Sequence, residues 1–298
     1  MAALLATYPL VLLARALGWQ DAPGPFDDER KLQACPVPVV GGAAILLGLL
    51  ALRLGEGGAL SAPVFMDHAS GLMFEGTSAW PPLLAAFFLG LVDDLLPGGL
   101  RPALKVAGQM GVGVVVAFTV FPGETAQFLM CLVLVPLALN VWNTFDNADG
   151  AATGVGAVAL LSVGSPAAGP LLGFLGWNLR GRVGAAAYLG DSGSHLIGCL
   201  VLLHPGAWPL MALPAMDLMR VSVLRVRRGQ APWQGDRRHL AHRLQERGAP
   251  PFAVALCLWG VAAIPCAFPG WLGLGLTGMG FITLVWGSRP CPGTEGPR

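Results

Sequence analysis

Apolar segments of membrane-spanning length recur along almost the whole chain and are separated by short polar connections. A helix needs roughly 20 apolar residues to cross a bilayer, and fewer where it stops at a polar pocket. Of the 298 residues, 54% are hydrophobic and only 12% are charged, whereas soluble domains carry roughly 25% charged residues. The sequence therefore predicts an all-α, polytopic integral membrane protein and excludes a soluble globular domain.

Eleven candidate spans meet this criterion. They cover approximately residues 2–18, 36–52, 81–96, 104–121, 127–143, 151–164, 168–179, 194–206, 208–224, 251–268 and 270–287. The run from Gly164 to Pro170 divides the 151–179 region, so one span plus a re-entrant segment, and hence ten spans, is the alternative. We expect residues 2–18 to be a first span rather than a cleaved signal, because they lack a basic start and a small-residue cleavage site. Residues 1–298 are then one transmembrane domain.

The placement of the basic residues predicts the orientation. With the N-terminus outside and eleven spans, all of the 18 Lys and Arg residues except Arg15 and Arg53 lie on the cytoplasmic side. Such an excess in cytoplasmic loops is typical of membrane proteins. With eleven spans, four polar patches along the chain also lie on the cytoplasmic face. Because they share one face, we predict that they form a single site.

The first patch is the vicinal pair Asp93-Asp94, which ends an apolar run. Carboxylates next to hydrocarbon need a cation, a proton or water, because their desolvation is costly. Solvation at a helix end is the simpler alternative. Adjacent carboxylates cannot share one helical face, so we expect them to have different roles. Lys105 and Gln109 follow, one helical turn apart.

The second patch runs from Asn140 to Gly150 and carries polar side chains at three-residue spacing, namely Asn140, Asn143, Asp146 and Asp149. On a helix this spacing forms a slowly rotating polar stripe. A hydrogen-bond ladder between spans is the alternative, but the two Asp residues favour a functional site.

The third patch, Gly190-Asp191-Ser192-Gly193-Ser194, is predicted to be a polar turn before an apolar run. Its serines are candidate helix caps. Asp191 also offers an oxygen ligand suited to Mg²⁺, which prefers carboxylates, waters and substrate phosphates.

The fourth patch is basic and contains His239, His242 and Arg243. Zinc binding is disfavoured there because no Cys or third ligand lies nearby in sequence, and the six cysteines of the chain are scattered. Arg and His side chains instead suit a diphosphate, and contact with anionic lipid is the alternative. A second basic turn contains Lys31 and precedes Gly41-Gly42, where the backbone can approach a neighbour closely.

Taken together, these patches resemble the polyprenyl-phosphate N-acetylhexosamine-1-phosphate transferase family, glycosyltransferase family 4. The resemblance extends over most of the chain and in the family's order. It includes Arg30-Lys31 with Gly41-Gly42, Gly90-Leu-Val-Asp-Asp94, Asn140-x-x-Asn-x-x-Asp-x-x-Asp-Gly150, Gly173-Phe-Leu-x-x-Asn178, Gly190-Asp-Ser-Gly-Ser194 and Asp236-Arg-Arg-His-Leu-Ala-His-Arg-Leu244.

The resemblance implies a reaction in which a UDP-N-acetylhexosamine passes its sugar-1-phosphate to a polyprenyl phosphate and releases UMP, with Mg²⁺ (or Mn²⁺) required. It implies that Asp93, Asp94 and Asp191 are catalytic, with Asp93 deprotonating the lipid phosphate. Both direct attack and an aspartyl intermediate stay open. The implied metal ligands are Asp191, Asp93, Asp94 and Asp146. The implied substrate-binding residues are Lys31, Lys105, Asn140, Asn143, Asp146, Asp149, Asn178, His239, His242 and Arg243.

Three departures from the family pattern bear on the sub-family: Asn147, Ala241 and Gln33. The histidine motif favours the GlcNAc-1-phosphate branch, and the phospho-MurNAc-pentapeptide transferase is the alternative. A non-catalytic or transporter-like membrane protein is the alternative from another class. The family further implies a bacterial inner membrane location and a homodimer, with no nucleic-acid partner.

Overall fold

Every predicted span corresponds to helical structure in the computed structural model, which describes residues 1–21, 36–55, 79–179, 184–233 and 238–288. The helices are α1 (Ala2–Ala16), α2 (Gly41–Gly55), α3 (Trp80–Leu95), α4 (Pro102–Val120), α5 (Thr125–Phe145), α6 (Ala151–Ser162), α7 (Ala168–Asn178), α8 (Gly190–Leu202), α9 (Ala212–Arg227), α10 (Leu240–Glu246), α11 (Pro251–Ala262), α12 (Ile264–Ala267) and α13 (Trp271–Gly287). A 3-10 helix, Pro205–Met211, precedes α9. Strands β1 (Gln20–Asp21) and β2 (Val37–Pro38) pair antiparallel.

The boundaries differ from the predicted ones where polar residues shape the backbone. Helix α2 begins at Gly41 rather than near 36, because β2 pairs with β1 before the helix starts. Helix α8 begins at Gly190, so the predicted polar turn is the first turn of a helix. The 151–179 region forms two helices, α6 and α7, which pack against each other.

Three helical stretches in the described part of the chain are long and apolar enough to cross a membrane: Pro102–Val120, Thr125–Phe145 and Pro205–Arg227. Five shorter apolar helices accompany them. Large apolar side chains face outward along several of these helices, among them Phe118, Leu129, Trp271 and Met279. Exposed apolar surface on this scale marks contact with lipid or protein. The protein is therefore an all-α, polytopic membrane protein.

Helix α8 lies at the centre of this bundle. It packs against α2, α3, α5 and α6, and Leu196, Ile197 and Leu200 are fully buried within it. A helix that is apolar on all sides is stable only when neighbours enclose it. Because α8 touches four helices, residues at its N-terminus can meet side chains from all of them.

Glycines allow the N-terminal end of α8 to approach its neighbours closely. A Cβ atom on Gly90 of α3 would overlap the backbone of Asp191 and Ser192, and one on Gly41 of α2 would lie 2.6 Å from the Cα of Leu189. The amides of Gly41 and Gly42 donate hydrogen bonds to the carbonyls of Tyr188 and Leu189. The close backbone approach that Gly41-Gly42 permits is thus observed.

Candidate active site

Asp94 holds the N-terminus of α8 against the C-terminus of α3. Its Oδ1 accepts a hydrogen bond from the Asp191 amide at 2.8 Å. Its Oδ2 accepts hydrogen bonds from the amide and the hydroxyl of Ser192, at 3.0 and 2.7 Å. A carboxylate at the positive end of a helix satisfies amides that lack partners within the helix. The sequence offered the serines as candidate caps, whereas the structure supplies an aspartate from another helix.

Asp93, the other member of the pair, points elsewhere. Its Oδ1 accepts a hydrogen bond from the Leu100 amide at 2.5 Å, and its Oδ2 lies 3.0 Å from the Lys105 Nζ. The two adjacent carboxylates therefore have different partners, as the sequence predicted. Asp94 stabilises the contact between α3 and α8, and Asp93 lies next to the Lys105 ammonium.

The Lys105 ammonium joins three helices. Its Nζ lies 3.0 Å from Asp93 Oδ2 and 3.3 Å from Asn143 Oδ1, and it also contacts Asp191 Oδ2. The Asn143 amide donates to Asp191 Oδ1 at 2.6 Å. An ammonium group has three donors, and here each faces one oxygen. Residues from α3, α4, α5 and α8 thus form one polar cluster, which we call the Lys105 cluster: Asp93, Lys105, Asn143 and Asp191.

A second polar layer lies one helical turn further along α4, α5 and α8, and it consists of Gln109, Asn140 and His195. The Gln109 amide nitrogen donates to the His195 Nε2 at 3.1 Å, which requires that nitrogen to carry no proton. The Asn140 Nδ2 donates to the Gln109 Oε1 at 2.6 Å. Gln109 and His195 are fully buried. Asn140, which the resemblance implied to bind substrate, thus donates its amide hydrogen bond to another protein residue. This geometry favours a role in supporting the Lys105 cluster over contact with substrate.

The Asp149-Gly150 turn is held by partners distant in sequence. Asn178 Oδ1 accepts hydrogen bonds from the Gly150 amide at 3.1 Å and the Thr153 hydroxyl at 2.8 Å. Its Nδ2 donates to the Ala187 carbonyl at 3.2 Å. Because the Asn178 side chain is buried, this geometry favours a bracket between the turn and the segment before α8 over the predicted nucleotide contact.

Two partly buried carboxylates, Asp146 and Asp149, lie at this turn. Asp149 accepts a hydrogen bond from the Ala185 amide at 2.8 Å; burial raises its pKa, and that hydrogen bond lowers it. Burial raises the pKa of Asp146 well above its ordinary value, and the negative charges of Asp191, Asp149 and Asp94 raise it further. An ionised Asp146 is therefore favoured only when a cation lies near it.

The histidine motif meets an acidic residue that the sequence analysis did not select. The His239 Nδ1 lies 2.9 Å from Asp217 Oδ2, in α9. Asp217 Oδ1 accepts a hydrogen bond from the Leu240 amide at 3.2 Å and pairs with Arg220 at 2.9 Å. Asp217 thus holds the start of α10 and orients the His239 ring. The sequence did contain a sign of this role. Asp217 and Arg220 lie three residues apart within an apolar helix, and charged residues inside membrane spans are rare.

Two further predicted site residues, His242 and Arg243, lie close to His239 in this motif. The His242 and His239 rings lie 6.4 Å apart between centroids, and the Arg243 guanidinium donates to the Ser288 carbonyl at 3.1 Å. Lys31 lies outside the described residues. The Trp259 indole, which the sequence analysis also missed, donates to the Gly150 carbonyl at 3.0 Å.

The donor atoms of the Lys105 cluster suit a hard cation. Two carboxylates and an amide oxygen converge on one point, and such oxygens are the ligands that Mg²⁺ prefers. The carboxylate of nearby Asp146 accepts no hydrogen bond from the described residues, which leaves it available to a cation. In the described part of the chain no three His, Cys, Asp or Glu side chains share one metal position. Of the four predicted metal ligands, Asp94 is engaged by the α8 amides, whereas Asp93 and Asp191 face Lys105.

The polar end of this bundle coincides with the region that matches a known family. The family model of glycosyl transferase family 4 matches residues 77–204, a range that contains the whole Lys105 cluster. The chain is similar to this family over that range.

Curated relatives extend the likeness beyond that region. The decaprenyl-phosphate N-acetylglucosaminephosphotransferase of Mycobacterium tuberculosis is 29% identical over 85% of this chain and 76% of the relative. The Mycobacterium leprae protein of the same name is 28% identical over 78% and 73%. The undecaprenyl-phosphate alpha-N-acetylglucosaminyl 1-phosphate transferase of Escherichia coli K12 is 22% identical over 79% and 71%.

Proposed function

We propose that this protein transfers N-acetylglucosamine-1-phosphate from UDP-N-acetylglucosamine to a polyprenyl phosphate and releases UMP. The observation that carries the proposal is the Lys105 cluster, a set of carboxylate, amide and ammonium groups at one end of a membrane bundle, within the part of the chain that matches the family. Relatives from two bacterial groups carry the names of N-acetylglucosamine phosphate transferases that act on polyprenyl phosphates. They favour this donor over UDP-MurNAc-pentapeptide.

In the proposed reaction a lipid phosphate oxygen forms a bond to the phosphorus next to the sugar, and the phosphoanhydride bond to UMP breaks. The electron pair of that bond leaves on UMP. Asp93 is the proposed proton acceptor for the lipid phosphate, and Lys105 the proposed donor to a phosphate oxygen. Asp191, which contacts Asn143 and Lys105 in the structure, is the proposed metal ligand that also orients Asn143.

The proposed cofactor is Mg²⁺, held by Asp93 and Asp191 with Asn143. A divalent cation at this position neutralises charge on the diphosphate and on the leaving UMP. Asp94 and Asp146 contribute negative charge close by. His239, His242, Arg243 and Lys31 are the proposed phosphate-binding groups, and Asp149 the proposed contact to the nucleotide.

The proposed location is the bacterial plasma membrane, with the site at the cytoplasmic face. The nucleotide sugar is a cytoplasmic metabolite and the lipid lies in the bilayer, so the polar end of a membrane bundle gives access to both. We also propose a homodimer, on the basis of the resemblance to the family.

The test uses the full-length protein in detergent with Mg²⁺, undecaprenyl phosphate and UDP-N-acetylglucosamine. We expect UMP release and a lipid-linked product, both dependent on Mg²⁺ and abolished in Asp191→Asn. Glu124→Gln removes an exposed carboxylate at the opposite end of α5 and should leave the activity unchanged.

Replacing the UDP-sugar substrate with other donors distinguishes the alternative functions. UMP release only from UDP-MurNAc-pentapeptide would assign the protein to that branch. No UMP from any UDP-N-acetylhexosamine, in protein shown to be folded, would reject the transferase and favour a non-catalytic or transport role.

A further inference from the structure

The Lys105 ammonium sits where a divalent cation would find its oxygen ligands. Asp93 Oδ2, Asn143 Oδ1 and Asp191 Oδ2 come from three different helices and face one nitrogen atom from a fourth. The ammonium lies between two carboxylates and reduces the repulsion between them. One positive charge thus already occupies the point at which these three oxygens meet.

A metal ion and the ammonium cannot share this point. Mg²⁺ requires its oxygen ligands at about 2.0–2.1 Å, whereas two of the three oxygens lie 3.0 and 3.3 Å from the Lys105 nitrogen. Two cations within this space would also repel each other by several kcal/mol even with strong screening. Metal binding at these oxygens therefore requires Lys105 to leave them.

The surroundings allow the ammonium to leave while the oxygens stay. The Lys105 side chain is 17% exposed, lies in the first turns of α4 and has a flexible four-carbon stem. The side chains that carry these oxygens have further contacts besides Lys105, since the Leu100 amide donates to Asp93 Oδ1 and Asn143 Nδ2 donates to Asp191 Oδ1. The helices that bear them are also held together. Asp94 holds the start of α8, and Gln109 links α4 to α5 and α8 through Asn140 and His195.

We propose that Lys105 is an exchangeable resident cation of this three-oxygen site. A divalent cation displaces its ammonium, and the released ammonium turns towards the solvent side, where it can donate to a substrate phosphate. The displacement is independent of the proposed transferase reaction, and only the phosphate contact rests on it. The exchange also frees Asp93 Oδ2 from its lysine partner.

The chain is well suited to a direct test, because Lys31 and Lys105 are its only lysines. The full-length protein in detergent, without nucleotide or lipid, is treated with an amine-reactive acetylating reagent in EDTA and in Mn²⁺. Peptide mass spectrometry then gives the acetylation of Lys105 relative to Lys31. We expect Mn²⁺ to raise this ratio severalfold. A ratio that Mn²⁺ leaves unchanged or lowers would overturn the proposal.

Metal affinity supplies a second readout. Mn²⁺ binding, followed by electron paramagnetic resonance, should be at least about tenfold tighter in Lys105→Met than in wild type, because a competing positive charge is gone. Lys105→Arg keeps the charge and should not bind more tightly than wild type. Arg101→Met removes an exposed cation one turn away and should bind like wild type. Equal or weaker binding in Lys105→Met would contradict the exchange.

The outcomes separate this proposal from the function. Mn²⁺-dependent exposure of Lys105 in a protein that releases no UMP would support the exchange and reject the transferase. UMP release without any effect of Mn²⁺ on the acetylation of Lys105 would support the transferase and reject the exchange. If Lys105→Met does not fold, the acetylation experiment on the wild-type protein still decides.

Discussion

Asp94 and Ser192 are joined twice, because a single carboxylate oxygen of Asp94 accepts hydrogen bonds from both the amide and the hydroxyl of Ser192. This contact connects the last turn of α3 to the first turn of α8. It also explains why the Asp pair and the Gly190–Ser194 motif, almost a hundred residues apart, form one unit.

Replacing Asp94 should reduce both stability and activity. Asp94→Ala removes three hydrogen bonds and a negative charge from the α8 N-terminus, so we expect the free energy of unfolding to fall by about 2 kcal/mol. Ser192→Ala removes one hydroxyl donor and should lower it by about 1 kcal/mol. Denaturant unfolding in detergent measures both values. Equal stability of Asp94→Ala and wild type would rule out the capping role.

Gly90 should not tolerate a side chain. A Cβ atom there would overlap the Asp191 and Ser192 backbone, so Gly90→Ala must push α3 and α8 apart. We expect a loss of about 1–3 kcal/mol, as in other overpacked cores, and a strong loss of UMP release. Gly111→Ala in α4 meets nothing within 4 Å and should stabilise by about 0.5–1 kcal/mol through helix propensity. A harmless Gly90→Ala would show that the helices are not in close contact.

Gln109 should be coupled energetically to Asn140. Gln109→Leu leaves the Asn140 and His195 groups of the buried layer without their partner, at an expected cost of about 1–3 kcal/mol. In a double-mutant cycle with Asn140→Leu, we expect a coupling energy of about 0.5–3 kcal/mol. Thermal or denaturant unfolding of the four proteins gives this value. Strict additivity would mean that the two side chains do not interact.

Asn178 should act on stability rather than on nucleotide affinity. Asn178→Ala removes the bracket on Gly150 and Thr153 and leaves buried donors unpaired, so a loss of about 1–3 kcal/mol is expected. Thr153→Val removes one of these contacts and should cost less. Unfolding and the KM for the UDP-sugar are measured together. A raised KM with unchanged stability would restore the nucleotide-binding role predicted from the motif.

Asp217 should be required for the histidine motif. Asp217→Ala leaves the partly buried Arg220 without its carboxylate and removes the acceptor of the Leu240 amide, at an expected cost of about 1–3 kcal/mol. Asp217→Asn keeps the shape and should lower kcat by about tenfold or more through loss of His239 orientation. That loss should vanish in a His239→Ala background. An additive loss would instead show that Asp217 acts independently of His239.

The sequence predicted the helices well because the spans are apolar and the motifs are polar, so the two are easily told apart. The different roles of Asp93 and Asp94 followed from their adjacency on a helix. The internal hydrogen bonds of Asn140 and Asn178 were not predicted, because a buried amide and a ligand-binding amide look identical in sequence. Asp217 and Trp259 were missed because their partners lie far along the chain and only the tertiary packing reveals them.

Helices α4, α5 and α8 each contribute one residue to the Lys105 cluster and another, one helical turn away, to the buried layer of Gln109, Asn140 and His195. Both layers thus depend on the rotational register of α4, α5 and α8. One residue inserted within any of these helices would rotate everything beyond it by about 100° and separate the members of both layers together. An insertion in a connection leaves this register intact as long as the connection keeps its own contacts, such as the hydrogen bond from the Leu100 amide to Asp93.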